Sequence, residues 1–339
     1  MSVAEFLERS RKVAVHGIRR HAAGRRSERG GELYELMLDY PLRPAKGLRP
    51  ALCLAACTAL GGHAEAAAPS MAALELYHNA FLVHDDIEDG SELRRQRPTL
   101  HQLHGVPVAL NVGDGMLALA LEPLLENTEV VGLARTLRIL RTFSRMARET
   151  AEGQMLELGW IRDARWDLGP DDYLVMVEKK TAWYSFVAPC RAGAQAAGAA
   201  AEAVDGLDAY ALALGRAFQI VDDLLNLEGD VASMGKEACG DLWEGKRTLM
   251  LLDLVARLEG PERQRAVHAL GGERAERSLD EVLWLRGAME HHGCLARARA
   301  VAAAEAGSAR AALEALELPD SDGHDFLEAL VDYVVERTR

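Results

Sequence analysis

No segment of this 339-residue chain alternates apolar and polar residues as a half-buried strand must, while long stretches repeat apolar residues at helical spacing. That feature confines the fold to helices packed on helices. Ala, Leu, Glu and Arg recur throughout and aromatics make up only 5% of residues, which also favours helix over sheet. The spacing predicts an amphipathic helix over 2–28, built on Val3, Phe6, Leu7, Val13 and Ile18, and a helix buried all round from Pro50 to Gly61. A long helix follows over 69–92, through Met71, Leu74, Tyr77 and Phe81. Further helices are expected over about 113–126, 130–156, 171–198, 202–227, 246–258, 279–290 and 293–316. Asp171-Asp172, after Gly169-Pro170, reads as a helix cap. With no internal repeat and no linker, the expectation is an all-α chain, one domain over 1–339, folded as a bundle of ten or more helices.

With 49% apolar and 27% charged residues, the chain can bury a sizeable core and stay in solution. A net charge of −13 argues against a general nucleic-acid binder, which needs a basic face to displace counterions. An anionic substrate would therefore require local basic clusters or bound cations. No run reaches the ~18 uninterrupted apolar residues of a membrane span. The start, Met-Ser-Val-Ala-Glu-Phe-Leu-Glu-Arg, lacks an apolar signal core and carries acids that a transit peptide avoids. The expected location is the cytoplasm, without stable membrane insertion. Cys53, Cys57, Cys190, Cys239 and Cys294 read as reduced structural thiols. Arg19, Arg20, Arg25, Arg26 and Arg29 read as a solvated helix end, with an anionic surface as the alternative, and Arg337 and Arg339 as surface arginines, with closing the site as the alternative.

The chemistry gathers at Asp85-Asp86-Ile87-Glu88-Asp89. On a helix Asp85 and Asp89 share a face, with Asp86 about 100° around. Apolar residues precede them, so acids stand where the core stripe should continue. Carboxylates this close repel and take up protons unless a cation intervenes, and magnesium is bound by one or two carboxylates plus substrate phosphate oxygens. The bland alternative is a solvated acidic helix end. A second cluster, Asp222-Asp223-Leu224-Leu225-Asn226, again ends an apolar run and again places acids at i and i+1 and an oxygen ligand at i+4. Two such clusters are hard to explain as solvent-facing charge; facing one another across a bundle, they would cage a metal-bridged diphosphate. Basic residues recur nearby: Lys46 and Arg49, Arg94 and Arg95 with Arg97, Lys179-Lys180, Lys236, and Lys246-Arg247. Singly each is a surface charge; together they supply point charges and fork donors suited to two diphosphates.

These landmarks, namely Lys46 to Pro50, His78 to Thr99, Gly113-Asp114, Lys180-Thr181-Ala182, Phe218 to Asn226 and Gly235 to Thr248, give the chain a close resemblance, over nearly its full length, to the trans-isoprenyl diphosphate synthase (polyprenyl synthetase) family. The resemblance implies an all-α fold around a central active-site cavity, usually a homodimer, that condenses isopentenyl diphosphate with an allylic diphosphate (dimethylallyl, geranyl or farnesyl). It implies Mg2+ as cofactor, three ions when diphosphate is bound, on Asp85, Asp86 and Asp89 and on Asp222, Asp223 and Asn226. Lys46, Arg49, His78 and Arg95 would hold isopentenyl diphosphate; Arg94, Lys180, Gln219, Lys236 and Lys246 would grip the allylic diphosphate. Gly47 stands where the family usually has a second basic residue. Asn226 replaces the third acid of the second motif, a pattern resembling the geranylgeranyl-forming branch that implies weaker metal binding rather than lost activity.

Product length should depend on the helix entering the first cluster. Phe81 lies one turn below Asp85 and can narrow the pocket, Ala80 is small enough to let a chain pass, and Tyr77 lies a turn deeper. In family terms this favours geranylgeranyl diphosphate (C20), with farnesyl diphosphate (C15) next; ordinary core packing is the alternative for Phe81. Two rivals remain for the whole chain. A class I terpene cyclase also uses acidic helices, but Asp222 to Asp230 fits its second metal motif poorly and it lacks a basic site for a second diphosphate. A non-catalytic partner subunit of a prenyl synthase needs an interface but no metal cage.

Overall fold

The computed structural model describes residues 1–23, 29–228, 239–271, 274 and 277–337, and those residues are helical almost throughout. In chain order they form α1 (Val3–Ala23), α2 (Gly31–Met37), α3 (Asp39–Leu42), α4 (Leu48–Ala59) and α5 (Ala64–Glu88), then a minimal hairpin of β1 (Leu93–Arg94) and β2 (Arg97–Pro98). Next come α6 (Leu100–His104), α7 (Val106–Leu119), α8 (Leu121–Val130), α9 (Leu133–Arg162), α10 (Pro170–Val177), a π-helix over Glu178–Val187, α11 (Ala188–Ala197) and α12 (Ala201–Glu228). The remainder is α13 (Gly240–Glu244), α14 (Leu249–Arg257), α15 (Gly260–Gly271), α16 (Leu279–His291), α17 (Cys294–Glu314) and α18 (Asp322–Glu336). The all-α expectation of ten or more helices holds.

Two compact units account for the chain. The first comprises Met1–Arg145, Ser185–Asp208 and Leu313–Leu330; the second comprises Met146–Tyr184, Ala209–Ala312 and Val331–Arg339. In the first, α4 buries all but two of its twelve residues, as an unbroken apolar run requires. Around α5 a core of Ile18, Met37, Tyr40, Leu76, Val83 and Met116 joins α1, α2, α3 and α7. In the second unit, Tyr173, Val177, Ile220, Leu224, Trp243 and Met250 join α10, α12, α13 and α14. All five cysteines are buried and free, in line with the expectation of structural thiols. Burial raises the thiol pKa of Cys53 well above its ordinary value.

Element boundaries depart from expectation where single residues mislead. α5 begins at Ala64 and not at Pro69, because proline within the first turns costs little but an early hydrogen bond. It ends at Glu88, with Asp89 as C-cap and Gly90 at φ +63° behind it. The expected helix over 113–126 is two helices, α7 and α8, divided at Ala120. The one over 171–198 contains the π-helix, whose ten residues are too few for their wider spacing to stand out within a longer helical run. α2, α3, α6 and α13 are too short for periodicity to register. At the start of α10 the Asp172 carboxylate accepts from the Gly169 N–H at 2.8 Å, so the Asp171-Asp172 pair does open a helix.

The stretch Val106–Val130 is, by length and composition alone, apolar enough for a membrane span (25 residues), and 44% of its most apolar part is buried. The break at Ala120 and the inward-facing Ala109, Val112, Met116 and Leu119 are those of core helices. Val106, Leu110, Leu121 and Leu125 of these helices are exposed, as are Leu133 and Leu137 of α9.

Candidate active site

The first acid cluster sits at the C-terminal end of α5, where the apolar run stops. Its members are treated differently. Asp86 is 1% exposed and fully engaged: the Tyr40 hydroxyl donates to Oδ2 at 2.6 Å, and the Arg94 guanidinium donates through Nε at 2.9 Å and through Nη2 to Oδ1. Asp85 keeps 24% of its side chain exposed, and Arg94 Nη2 reaches its Oδ2 only at 3.8 Å. Asp89, the C-cap, is half-buried. Burial works against the charge on Arg94, but Asp86 and Asp85 more than offset it and raise its pKa. Burial, followed by the hydrogen bond to Asp86, raises that of the Tyr40 hydroxyl.

Two turns earlier, His78 is buried. Desolvation first, then the nearby guanidinium charges of Arg49, Arg95 and Arg94, hold its pKa well below the ordinary value, so the imidazole is neutral. Glu75, a turn further back, is also buried; desolvation raises its pKa although Arg49 and Arg95 pull the other way. Arg49 donates to Ser185 Oγ at 2.7 Å, Arg95 to the Tyr40 carbonyl at 2.9 Å, and Lys46 is exposed. The missing basic residue at Gly47 has a steric cause. This N-cap of α4 has φ +71°, and a Cβ there would lie 2.7 Å from the Arg11 Cβ. His84 approaches Asp114 of α7 at 3.5 Å.

The second cluster repeats the arrangement within the other unit. Asp223 is buried and pinned: the Tyr173 hydroxyl donates to Oδ2 at 2.6 Å and Gln219 Nε2 to Oδ1 at 2.7 Å, while Thr181 Oγ1 donates to Gln219 Oε1 at 2.8 Å. Burial pushes the Asp223 carboxyl up to about 7; the Tyr173 and Gln219 hydrogen bonds pull it down, and Asp222 and Glu157 push it up again. Asp222 is 56% exposed on its side chain and is met by Arg337 Nη2 at 3.1 Å. Arg337 also donates to the Phe218 carbonyl at 2.9 Å and lies 3.9 Å over the Phe218 ring, with only 4% of its side chain exposed. The expectation of a surface arginine is therefore wrong for Arg337, because the aromatic ring and the carboxylate bury it; Arg339 and Lys236 lie outside the described residues. Asn226 Oδ1 accepts the Asp241 N–H at 3.1 Å, so the amide caps the next helix. Asp241 itself has its pKa raised well above the ordinary value, by burial first, with Lys246 opposing and Asp223 adding. Lys246 pairs with Glu244 at 2.7 Å.

Lys180 lies in the π-helix and is paired with Glu157 of α9. Its neighbour Lys179 turns to Glu149 and Glu152 at 2.7 and 2.6 Å. α9 passes close through Gly153, where a Cβ would lie 2.3 Å from the Lys180 nitrogen. Along α5, Tyr77 contacts both Phe81 (centroids 5.9 Å) and Phe143 of α9 (5.7 Å), and Ala80 is fully buried.

In each pair of adjacent aspartates, then, the second is buried under a tyrosine hydroxyl and the first stays partly exposed beside an arginine. Hard oxygen donors with one solvent-accessible carboxylate at the end of each helix suit magnesium, which takes one or two protein carboxylates and completes its shell with water and phosphate oxygens. The residues fit the ion. Sequence reasoning missed Tyr40, Tyr173, Glu157, Asp241 and Phe143, none of which carries a motif of its own.

A sequence model of the polyprenyl synthetase family matches residues 31–284. The chain is 34% identical over 292 residues to the short chain isoprenyl diphosphate synthase of Methanothermobacter thermautotrophicus, covering 86% of each. It is 33% identical over 297 residues to the geranylfarnesyl diphosphate synthase of Aeropyrum pernix, covering 87% of this chain and 91% of that one. A crystal structure of polyprenyl synthase from Caulobacter crescentus, complexed with calcium and isoprenyl diphosphate, superposes with a TM-score of 0.85 at 32% identity, over 100% of this chain and 98% of the other. The fold and these carboxylate-ended helices are those of an all-helical prenyltransferase. The chain belongs to the polyprenyl synthetase family: it joins isopentenyl diphosphate to an allylic diphosphate, in a family that is generally Mg2+-dependent.

Proposed function

We propose that residues 1–339 work as one synthase domain, that Asp85 with Asp89 and Asp222 are the carboxylates offered to Mg2+, and that the favoured product is geranylgeranyl diphosphate, with farnesyl diphosphate next. The observation that carries the metal assignment is a repeated difference in burial, in which Asp86 and Asp223 are buried under tyrosine hydroxyls while Asp85 and Asp222, each met by an arginine, keep 24% and 56% of their side chains exposed. On this reading Asp86 and Asp223 orient the helix ends, and Asn226 and Asp241 stand behind the second cluster. The one-domain reading is supported by α9, α12, α17 and α18, each of which begins in one compact unit and ends in the other.

When bound, Mg2+ stabilises negative charge on the departing diphosphate; three ions are proposed. The protein supplies the rest. Arg94, Lys180, Lys246 and Lys236 grip the allylic diphosphate as cations and Gln219 as a neutral amide donor, placing positive charge where the leaving group becomes negative. Lys46, Arg49, Arg95 and the neutral His78 hold isopentenyl diphosphate; the allylic carbon–oxygen bond breaks first, leaving an allylic cation that the isopentenyl double bond then attacks. The proton lost from the new cation passes to the released diphosphate, and no protein nucleophile takes part. Phe81, Tyr77 and Phe143 form an aromatic floor below Asp85, with Ala80 beside it, and stop the tail. We further propose a homodimer through the exposed face of α7 and α8, and a cytoplasmic location.

Purified protein alone, incubated with Mg2+, isopentenyl diphosphate and farnesyl diphosphate, should yield geranylgeranyl diphosphate by mass analysis. A hydrocarbon or alcohol instead would point to a cyclase, and no turnover to a partner-dependent subunit.

A further inference from the structure

The hairpin that carries Arg94 and Arg95 has nothing apolar of its own to hold it. Residues 91–98 include no buried residue, and each strand is two residues long, paired Leu93 with Pro98 and Arg94 with Arg97. Its two-residue turn is Arg95-Gln96, with φ of +52° and +63°. That is the pattern of a type I′ turn, which normally selects Asn-Gly, and here two residues with Cβ atoms adopt the left-handed region. Such a conformation persists only when its surroundings over-determine it.

Those surroundings centre on Arg43, which follows α3 and whose side chain is fully buried. Its Nη1 donates to the carbonyls of Arg94 at 2.8 Å and Arg97 at 3.3 Å, and its Nη2 to that of Pro98 at 2.8 Å. One guanidinium thus ties both strands across the turn. Nε donates to Asp39 at 2.6 Å, and the guanidinium lies 4.5 Å from the centre of the Tyr40 ring. A lysine in its place could keep the charge opposite Asp39 but has no planar fork for three carbonyls. With its donors spent on backbone, Arg43 does not replace the basic residue missing at Gly47.

We infer that Arg43 is a positioning residue for isopentenyl diphosphate, acting through the Arg95-Gln96 turn; this rests on the assignment of Arg95 to that substrate. Arg43→Lys should raise the KM for isopentenyl diphosphate on the order of tenfold, as expected for losing charged hydrogen bonds that set a donor's geometry, and change kcat by less than about threefold. Adding Gln96→Gly, which gives the turn a residue suited to positive φ, should return most of that KM. Amide exchange over residues 92–99 should speed up in Arg43→Lys and slow again in the double variant.

An unmoved KM, or a KM that Gln96→Gly does not restore, overturns the inference. Arg43→Lys that folds only with Gln96→Gly supports it, whereas failure of both variants to fold makes Arg43 an ordinary core residue and overturns it. Arg95→Gln separates the two readings: if it leaves the KM for isopentenyl diphosphate unchanged, the substrate assignment fails, and the exchange rates alone judge Arg43.

Discussion

Identical residue types side by side carry different loads in this protein. Asp86 and Asp223 each receive a tyrosine hydroxyl at 2.6 Å, from Tyr40 and Tyr173, and are lost to solvent; Asp85 and Asp222 are not. Sequence spacing singled out both pairs but could not divide them, because the tyrosines come from helices 46 and 50 residues away in the chain. The division has a consequence for pH. The folded-state value of Asp223, about 7, lies above its ordinary 3.8. Between those values the folded chain holds a proton that the unfolded chain has released. The stability from this group is therefore full at low pH and lost as pH rises through about 7. In EDTA, Asp223→Asn should flatten the fall in Tm from about pH 4 to 7; equal slopes in the two proteins would show that the carboxyl is not held protonated.

At the scale of elements, long apolar runs were legible and short or irregular pieces were not. α4, α5, α9 and α12 appear where the spacing puts them, to within a few residues. The hairpin and the π-helix do not, since neither has a periodicity distinct from its neighbours. Yet these two pieces carry Arg94, Arg95 and Lys180, so the motifs pointed to candidate residues whose local structure periodicity could not foresee. On α5, Phe81 and Tyr77 were visible as a ladder one and two turns from Asp85, whereas Phe143, which packs on Tyr77, was not. Phe81→Ala should remove the upper rung and shift products toward chains longer than C20 by mass analysis. An unchanged distribution would make Phe81 plain packing.

For the whole molecule, the sequence conveyed the helical class but not the surface. Exposed Leu121, Leu125 and Leu133 stand 49%, 58% and 65% open to solvent, on and beside helices whose other faces are core. A second copy covering that patch would bury it, in the manner of an obligate dimer interface. If the proposed homodimer forms through this face, Leu125→Arg with Leu133→Arg should leave monomers in sedimentation; a dimer that survives would place the interface elsewhere.

The central claim is that the two solvent-accessible aspartates, Asp85 and Asp222, and not merely an acidic surface, drive departure of the diphosphate. Single-turnover condensation at saturating Mg2+ tests it most directly, comparing the unaltered protein with Asp85→Ala and Asp222→Ala. Each variant should lose about a thousandfold or more in rate with its helical circular dichroism intact, as expected when charge stabilisation of a leaving group is removed. Near-normal rates in either folded variant would contradict the account.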